Sequence, residues 1–345
     1  MIAILLATYN GEKYIKPQIN SILSQMDRAS EKCVLYVHDD GSTDRTCEIL
    51  REYVISFPGK VELLEGPSQG GSTKNFMFLL KEVEADYYMF SDQDDVWLPE
   101  KLERQYEEIK KLEDRIQRAF PGGGDSSVPT DMKEKGSAER TGSAVGEEDS
   151  VLVFSDMMVV GEDLKVINPS FFSYSNLNPY RTKLNELILE NVVSGCCMMF
   201  NRRLRDLALR YSDPEKIKWH DWWITEIAAA VSGRIQFIPE PLMLYRQHGH
   251  NAVGAIEDYN LSRVRKKLSM ILSGEQSAES GKFIREAVDQ AKQLLSIKDD
   301  ISKDSYNIVK AVTDFDSQGK LERIKSFRKL DITRDKRNIW MMLHL

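Results

Sequence analysis

The sequence predicts an α/β protein built on a mostly parallel, doubly wound sheet flanked by helices, and three observations lead there. Short apolar runs such as Ile2 to Ala7 are too brief for buried helices and end at breakers, here Asn10-Gly11. Such runs alternate with amphipathic stretches of about ten to fifteen residues, the pattern of βαβ units. Several runs end in small or acidic residues. A buried strand cannot carry unpaired acids through its middle, so these mark the carboxyl edge of the sheet, where open α/β sheets bind ligands.

The first strand, Ile2 to Ala7, precedes a helix from about Glu12 to Gln25. Cys33 to His38 makes a second strand ending in Asp39-Asp-Gly-Ser-Thr-Asp44. Ser42 or Thr43 is placed to cap the next helix, Arg45 to Ile55, whose Ile49, Leu50, Tyr53 and Val54 form one apolar stripe. A third strand, Val61 to Leu64, leads into the glycine-rich turn Gly66 to Thr73 and the helix Lys74 to Val83. The fourth, Tyr87 to Ser91, stops at Asp92, Asp94 and Asp95, before a helix from Pro99 to about Ile116. From Pro121 to Asp149 there is no aromatic residue and almost no large aliphatic one, so a disordered insertion is expected.

Strand signals resume at Val151 to Phe154 and end at Ser155-Asp156. An aromatic loop, Phe171 to Pro179, a helix near Leu184 to Leu189 and a buried strand within Asn191 to Phe200 follow. Trp219-His-Asp-Trp-Trp223 opens a helix reaching Val231, and Ile235 to Tyr245 reads as a strand broken by Pro239 and Pro241. Beyond Ala255 the pattern is helical. Residues 1–254 are thus expected to form one large α/β domain, with 255–345 as a helical C-terminal region.

The net charge of −7 argues against general nucleic-acid binding. No apolar run approaches the roughly 20 residues of a membrane span. The N-terminus enters its glycine turn without a basic leader, so a cytoplasmic location is expected. Cys33, Cys47, Cys196 and Cys197 show no metal-binding spacing and read as reduced, small apolar residues. Between Lys320 and Asn338 eight basic residues face three acidic ones, ahead of the apolar Ile339 to Leu343. That segment suits a peripheral helix on anionic lipid, or else a solvated helix in a helical appendage or a homodimer contact.

Three carboxylates within four residues repel one another unless a cation compensates them. Hard oxygen ligands of this kind suit Mg²⁺ or Mn²⁺ bridging a substrate's phosphates. A solvated acidic turn ahead of Pro99-Glu100 accounts for the same residues. Thr8, Asp39, Asp40 and the Gly70-Gly71 turn fall on the same expected edge.

In chain order, Leu6-Ala-Thr-Tyr-Asn-Gly11, Asp39-Asp-Gly-Ser-Thr-Asp44, Ser91-Asp-Gln-Asp-Asp-Val-Trp97, His220-Asp-Trp-Trp223 and Leu244-Tyr-Arg-Gln-His248 resemble the motifs of family 2 glycosyltransferases with the Rossmann-like GT-A fold, in the manner of the bacterial rhamnosyltransferase-like branch. The resemblance covers about residues 1 to 250, apart from the insertion. It implies an inverting enzyme that moves a hexose or deoxyhexose, such as rhamnose, from a dTDP- or UDP-sugar to a glycan or lipid-linked glycan of a surface polysaccharide, with Mg²⁺ or Mn²⁺. It places Thr8, Tyr9 and Asp40, with Asp39, at the nucleoside. Asp92 and Asp94 fall on the first and last acids of the D-x-D metal motif, and Asp95 beside them leaves open which pair touches the cation. Asp221 falls on the general base. Arg246, Gln247 and His248 resemble the segment that closes over the diphosphate, with His248 as a further metal ligand.

The chemistry agrees with that assignment. Sugar transfer from a nucleotide diphosphate needs charge neutralisation on the departing group, which a carboxylate-held cation supplies. It also needs a separate carboxylate across the sugar ring to take the acceptor proton. Trp219, Trp222 and Trp223 would raise the basicity of Asp221 by desolvation and offer faces for sugars; helix packing, with Asp221 as an N-cap, is the other account of them. Asp156 and Glu190 are the next candidates for the base. A non-catalytic nucleotide-sugar-binding subunit of a polysaccharide assembly complex is the alternative function, and intact Asp94 and Asp221 argue against it.

Overall fold

The computed structural model describes residues 1–119, 149–210, 213, 215–231, 233–248 and 275–333. Nearly all of the expected insertion at 121–149, the first part of the C-terminal region and the apolar end at 339–343 lie outside the described residues. No helix among the described residues is long and apolar enough to cross a membrane.

A nine-stranded sheet organises the chain. Its centre is β1 (Ile2–Thr8), buried along its whole length and paired in parallel with β2 (Cys33–Asp39) on one side and β4 (Tyr87–Ser91) on the other. The short β3 (Val61–Leu63) extends this parallel half beyond β2. Helices α1 (Ile15–Met26), α2 (Thr46–Ser56) and α3 (Ser72–Glu82) make the crossovers, with Ile15, Ile19, Ile22, Leu79 and Leu80 driven into the core. Thr8 pairs with Asp39, and β4 ends at Ser91 beside Leu6, two residues short of the end of β1, so the loops after the three parallel strands open on one edge.

The second half departs from a purely parallel sheet. After β5 (Val96–Trp97) and α4 (Lys101–Ala119), β6 (Val151–Val160) is joined to β4 through β8 (Met198–Asn201), which runs antiparallel to both. The long β9 (Arg234–Arg246) lies parallel to β6 and antiparallel to β5. A small β7 (Val166–Asn168) forms a hairpin with β6. This is the expected GT-A arrangement, a mostly parallel sheet with helices on its faces and helices again at the C-terminal end: α9 (Glu275–Gln293), α10 (Lys303–Thr313) and α11 (Lys320–Lys329).

Several boundaries differ from the sequence reading for identifiable reasons. Strand β6 continues through Ser155 and Asp156 because Asp156 faces the N–H groups of Met157, Phe171 and Phe172, at 2.7, 3.0 and 3.4 Å, so a buried acid inside a strand has its donors. Pro239 and Pro241 do not break β9. Ser155 pairs with Ile238 and Asp156 with Pro241, so Pro239 lies in a bulge where the ladder needs no N–H. The aromatic loop contains a short helix, α5 (Phe171–Ser175), whose N-terminus is capped by the Ser170 hydroxyl. Helix α6 (Leu184–Leu187) is shorter than expected. Between β8 and α8 (His220–Ala230), the charged segment α7 (Arg202–Arg210) is helical because Leu204, Leu207 and Ala208 give it one buried face. Neither Ser42 nor Thr43 caps α2; Asp44 accepts from the N–H and hydroxyl of Thr46 instead.

Candidate active site

The adjacent ends of β1 and β2 bring Thr8, Tyr9, Asp39 and Asp40 together as expected. The buried Thr8 hydroxyl donates to Asp39 at 2.9 Å. Asp39 also accepts from the N–H groups of Gly41 (3.1 Å) and Ser42 (2.7 Å), the Ser42 hydroxyl (2.6 Å) and the Cys47 thiol (3.1 Å). The neighbouring Asp40 accepts from the Ser68 hydroxyl and from the N–H groups of Gln69, Gly70 and Gly71. Gly70 and Gly71 sit at φ 77° and 144°, a backbone that lets successive N–H groups converge on one carboxylate. Burial works against ionisation of both acids, but these donors outweigh it and hold each carboxyl below its ordinary value. The pair is therefore a fixed anionic frame. Tyr9 is 55% exposed, and its backbone is clamped by Gln93, which accepts from its N–H at 3.0 Å and donates to its carbonyl at 2.9 Å. Gln93 went unmarked in the sequence. The signal was Gly11, where a Cβ would overlap the Gln93 amide.

The three acids after β4 have three environments. Asp92 is partly exposed, and burial, together with the charges of Asp94 and Asp221, pushes its carboxyl up to about 7. Asp95 is buried and raised well above the ordinary range by burial first, then by Asp94 and Asp92. One of its oxygens accepts the Arg246 N–H at 3.0 Å, and the other has no hydrogen-bond partner. Asp94 points to the rim, where its Oδ2 lies 2.7 Å from Nε2 of His248. The His248 ring stacks on Tyr14 with centroids 4.8 Å apart.

These residues offer two places for a divalent cation, one at the rim and one deeper. At the rim a carboxylate oxygen from the turn after β4 and an imidazole nitrogen from the segment after β9 meet. Deeper in, ligand atoms of Asp92, Asp95 and Cys196 lie within 4.8 Å of one another. Burial pushes the Cys196 thiol well up, and a protonated thiol is a poor ligand for a hard cation. Asp92, which borders both groups, is the acid that a rim cation would draw into ionisation.

Asp221 reaches the same edge by topology. Because β8 runs antiparallel to β4, its approach at Gly195–Cys197 lies beside the end of β4, and Gly195 N–H donates to Asp221 at 3.2 Å. Trp222 N–H donates to the other oxygen at 2.7 Å. Burial nevertheless dominates and raises the Asp221 carboxyl to about 6, which these two bonds only moderate. Gly195 is required here, since a Cβ would stand 2.8 Å from Nε2 of His220 and 3.4 Å from the Asp221 Cβ. Asp156 is occupied at α5, and Glu190 lies 3.8 Å from Arg181, which leaves Asp221 as the acid facing the cluster.

One expectation is corrected. Trp222 and Trp223 are buried and donate their indole N–H groups to the carbonyls of Leu187 (2.8 Å) and Ala208 (3.2 Å), so they pack the core and offer no face to a sugar. Arg246 is also buried. Its guanidinium donates to the carbonyls of Asp94 and Glu162, both at 2.6 Å, and lies over Tyr14, so it holds the acidic loop beside His248. A further residue missed by the sequence reading is Lys101, whose buried ammonium sits 5.0 Å over the Trp97 ring behind Asp95.

The family model for glycosyl transferase family 2 matches residues 3–207. A dTDP-rhamnosyl transferase, RfbG of Shigella flexneri, is 26% identical over 261 residues, covering 72% of this chain and 74% of that protein. The poly(ribitol-phosphate) β-N-acetylglucosaminyltransferase TarS of Staphylococcus aureus is 38% identical over 93 residues, only 27% of this chain and 16% of that one. The solved structure of S. aureus TarS 1–349 with UDP-GlcNAc superposes with a TM-score of 0.49 at 16% identity, over 96% of this chain and 90% of that chain.

Proposed function

The chain belongs to glycosyl transferase family 2, and from that premise we propose that it is an inverting transferase moving a deoxyhexose, rhamnose in particular, from a dTDP-linked donor to a hydroxyl of a surface glycan or its lipid-linked precursor. The observation that carries this reading is the pair of carboxylate environments at one sheet edge. Asp94 sits at the rim beside His248, while Asp221 is raised by burial and faces Asp92 from another element. The relative named as a dTDP-rhamnosyl transferase supports the choice of donor.

In this account Thr8, Tyr9 and Asp40, with Asp39, border the nucleoside. Asp94 and His248, with Asp92, would hold a divalent cation, which when bound would neutralise charge on the leaving diphosphate. Asp221 takes the proton of the acceptor hydroxyl as its oxygen bonds to the anomeric carbon, while the bond from that carbon to the diphosphate oxygen breaks on the opposite face. A carboxyl raised to about 6 is a stronger base than an ordinary aspartate and is still ionised at neutral pH. The base and the leaving group must lie on opposite sides of the sugar for inversion, as in inverting glycosidases.

A thermal-shift panel of dTDP, UDP and GDP with and without Mn²⁺ tests the donor site. A ligand at 100-fold its dissociation constant adds about 2.7 kcal/mol of stability. The expected result is a Mn²⁺-dependent shift, largest with dTDP. A panel with no response to any nucleotide contradicts the reading.

A further inference from the structure

The geometry points to Gln290, on the C-terminal helix α9, as a positioning residue for Asp221. This inference rests on the reading of Asp221 as the base. Gln290 is fully buried although it is a polar residue on a helix that the sequence presents as an appendage. Its carbonyl oxygen accepts from the backbone N–H groups of Lys218 (3.1 Å) and Trp219 (3.2 Å), the two residues just before His220 and Asp221. Its amide nitrogen donates to Glu226 at 2.9 Å, in the middle of α8. Backbone N–H groups only donate, so the orientation of the Gln290 amide is fixed by its partners.

The arrangement braces a helix start that has no side-chain cap. Trp219 is the N-cap residue of α8, and no side chain caps the helix there. The helix start that carries Asp221 is instead tied, through one amide, to Glu226 more than a turn further along. Glu226 is itself fully buried, and its second oxygen has no hydrogen-bond partner, so the tie has no substitute close at hand. An ion pair between Lys218 and Glu286 at 2.9 Å brings α9 to the same segment from the surface. Removing the Gln290 amide frees the Lys218–Trp219 backbone and with it the direction of the Asp221 side chain. A displacement on the order of 1 Å at a reacting group costs up to about 100-fold in rate.

The test uses the full chain and the slow hydrolysis of whichever sugar nucleotide the wild type turns over fastest among dTDP-rhamnose, UDP-GlcNAc and GDP-mannose. Gln290→Met keeps the shape and removes all three bonds. It is expected to lower kcat by roughly 10- to 100-fold with nucleotide affinity unchanged. The exchanged pair Glu226→Gln with Gln290→Glu restores every donor and acceptor in reverse, and is expected to recover most of kcat. Gln290→Met turning over at the wild-type kcat overturns the inference, as does an exchanged pair that is well folded yet as slow as Gln290→Met. If Gln290→Met fails to fold, the exchanged pair decides alone, with near-normal kcat supporting the inference and a 10-fold loss overturning it. Asp221→Asn, measured alongside, separates the two readings. An inactive Asp221→Asn with a fully active Gln290→Met removes only the positioning role, whereas an active Asp221→Asn removes the base itself.

Discussion

Nε2 of His248 lies 2.7 Å from Oδ2 of Asp94, joining residues 154 positions apart in the chain. The two-residue strand β5 brings this about. Val96 pairs with Leu244 and Trp97 with Met243, so the acidic turn before β5 lies alongside the residues that leave β9. Arg246 locks the register through its N–H to Asp95 and its guanidinium to the Asp94 carbonyl.

A cation bound at this junction must displace protons. Burial and its acidic neighbours push Asp92 up to about 7, so near neutral pH part of the cluster is protonated. Mn²⁺ binding is therefore expected to release protons and to weaken as pH falls below about 7. Calorimetric titrations with Mn²⁺ in buffers of different ionisation enthalpy check this. An apparent enthalpy that is the same in every buffer contradicts it.

Gly195 has no room for a side chain between His220 and Asp221. Gly195→Ala is expected to push the start of α8 outward, lowering kcat by roughly 10- to 100-fold while leaving nucleotide affinity near wild type. Hydrolysis rates and nucleotide titrations on the variant check both parts.

The strand-end half of the site was legible because a charge without local donors is costly in mid-strand, which put Asp39, Asp40, Asp92, Asp94 and Asp95 at an edge. The meeting of Asp221 with Asp92 was not legible. It depends on β8 running antiparallel beside β4, a long-range choice with no local signal. Trp222 and Trp223 were ambiguous because a buried tryptophan and a sugar-stacking one look alike in sequence, and only their partners, Leu187 and Ala208, tell them apart. Gln290 was hidden for the same kind of reason, since nothing near it in sequence shows that it reaches Lys218 and Glu226. The strand through Asp156 was missed because its donors come from Phe171 and Phe172 as well as its neighbour.

The buried tryptophans predict a stability effect separable from binding. Trp223→Ala is expected to cost about 3–5 kcal/mol, the range for deleting a large core aromatic side chain. Nucleotide affinity of the protein that remains folded should change little. Denaturant unfolding and nucleotide titration on the same variant test the two together.

The raised carboxyl of Asp221 ties activity and stability to pH with opposite signs. As the base it must be ionised, so kcat/KM is expected to fall as pH drops below about 6. For stability, the folded-state value lies above the unfolded 3.8, so the unfolded chain ionises first as pH rises. Stability is then lost between about pH 4 and 6 and stays at its lower level above that. Relative to Asp221→Asn, the wild type is expected to lose up to about 2 kcal/mol over this window, allowing for partial solvent contact. Unfolding curves of both proteins at pH 4, 5, 6 and 7 measure it, and a difference independent of pH contradicts it.

The most direct test of the account compares Asp94→Asn with Asp221→Asn by dTDP titration in the presence of Mn²⁺ and by turnover. Asp94→Asn should lose Mn²⁺-dependent nucleotide binding together with activity. Asp221→Asn should keep nucleotide affinity and its metal dependence while losing about 10²- to 10⁴-fold in kcat, the scale of general base catalysis. Normal turnover in Asp221→Asn, or loss of nucleotide binding in it, contradicts the division of roles proposed for the two carboxylates.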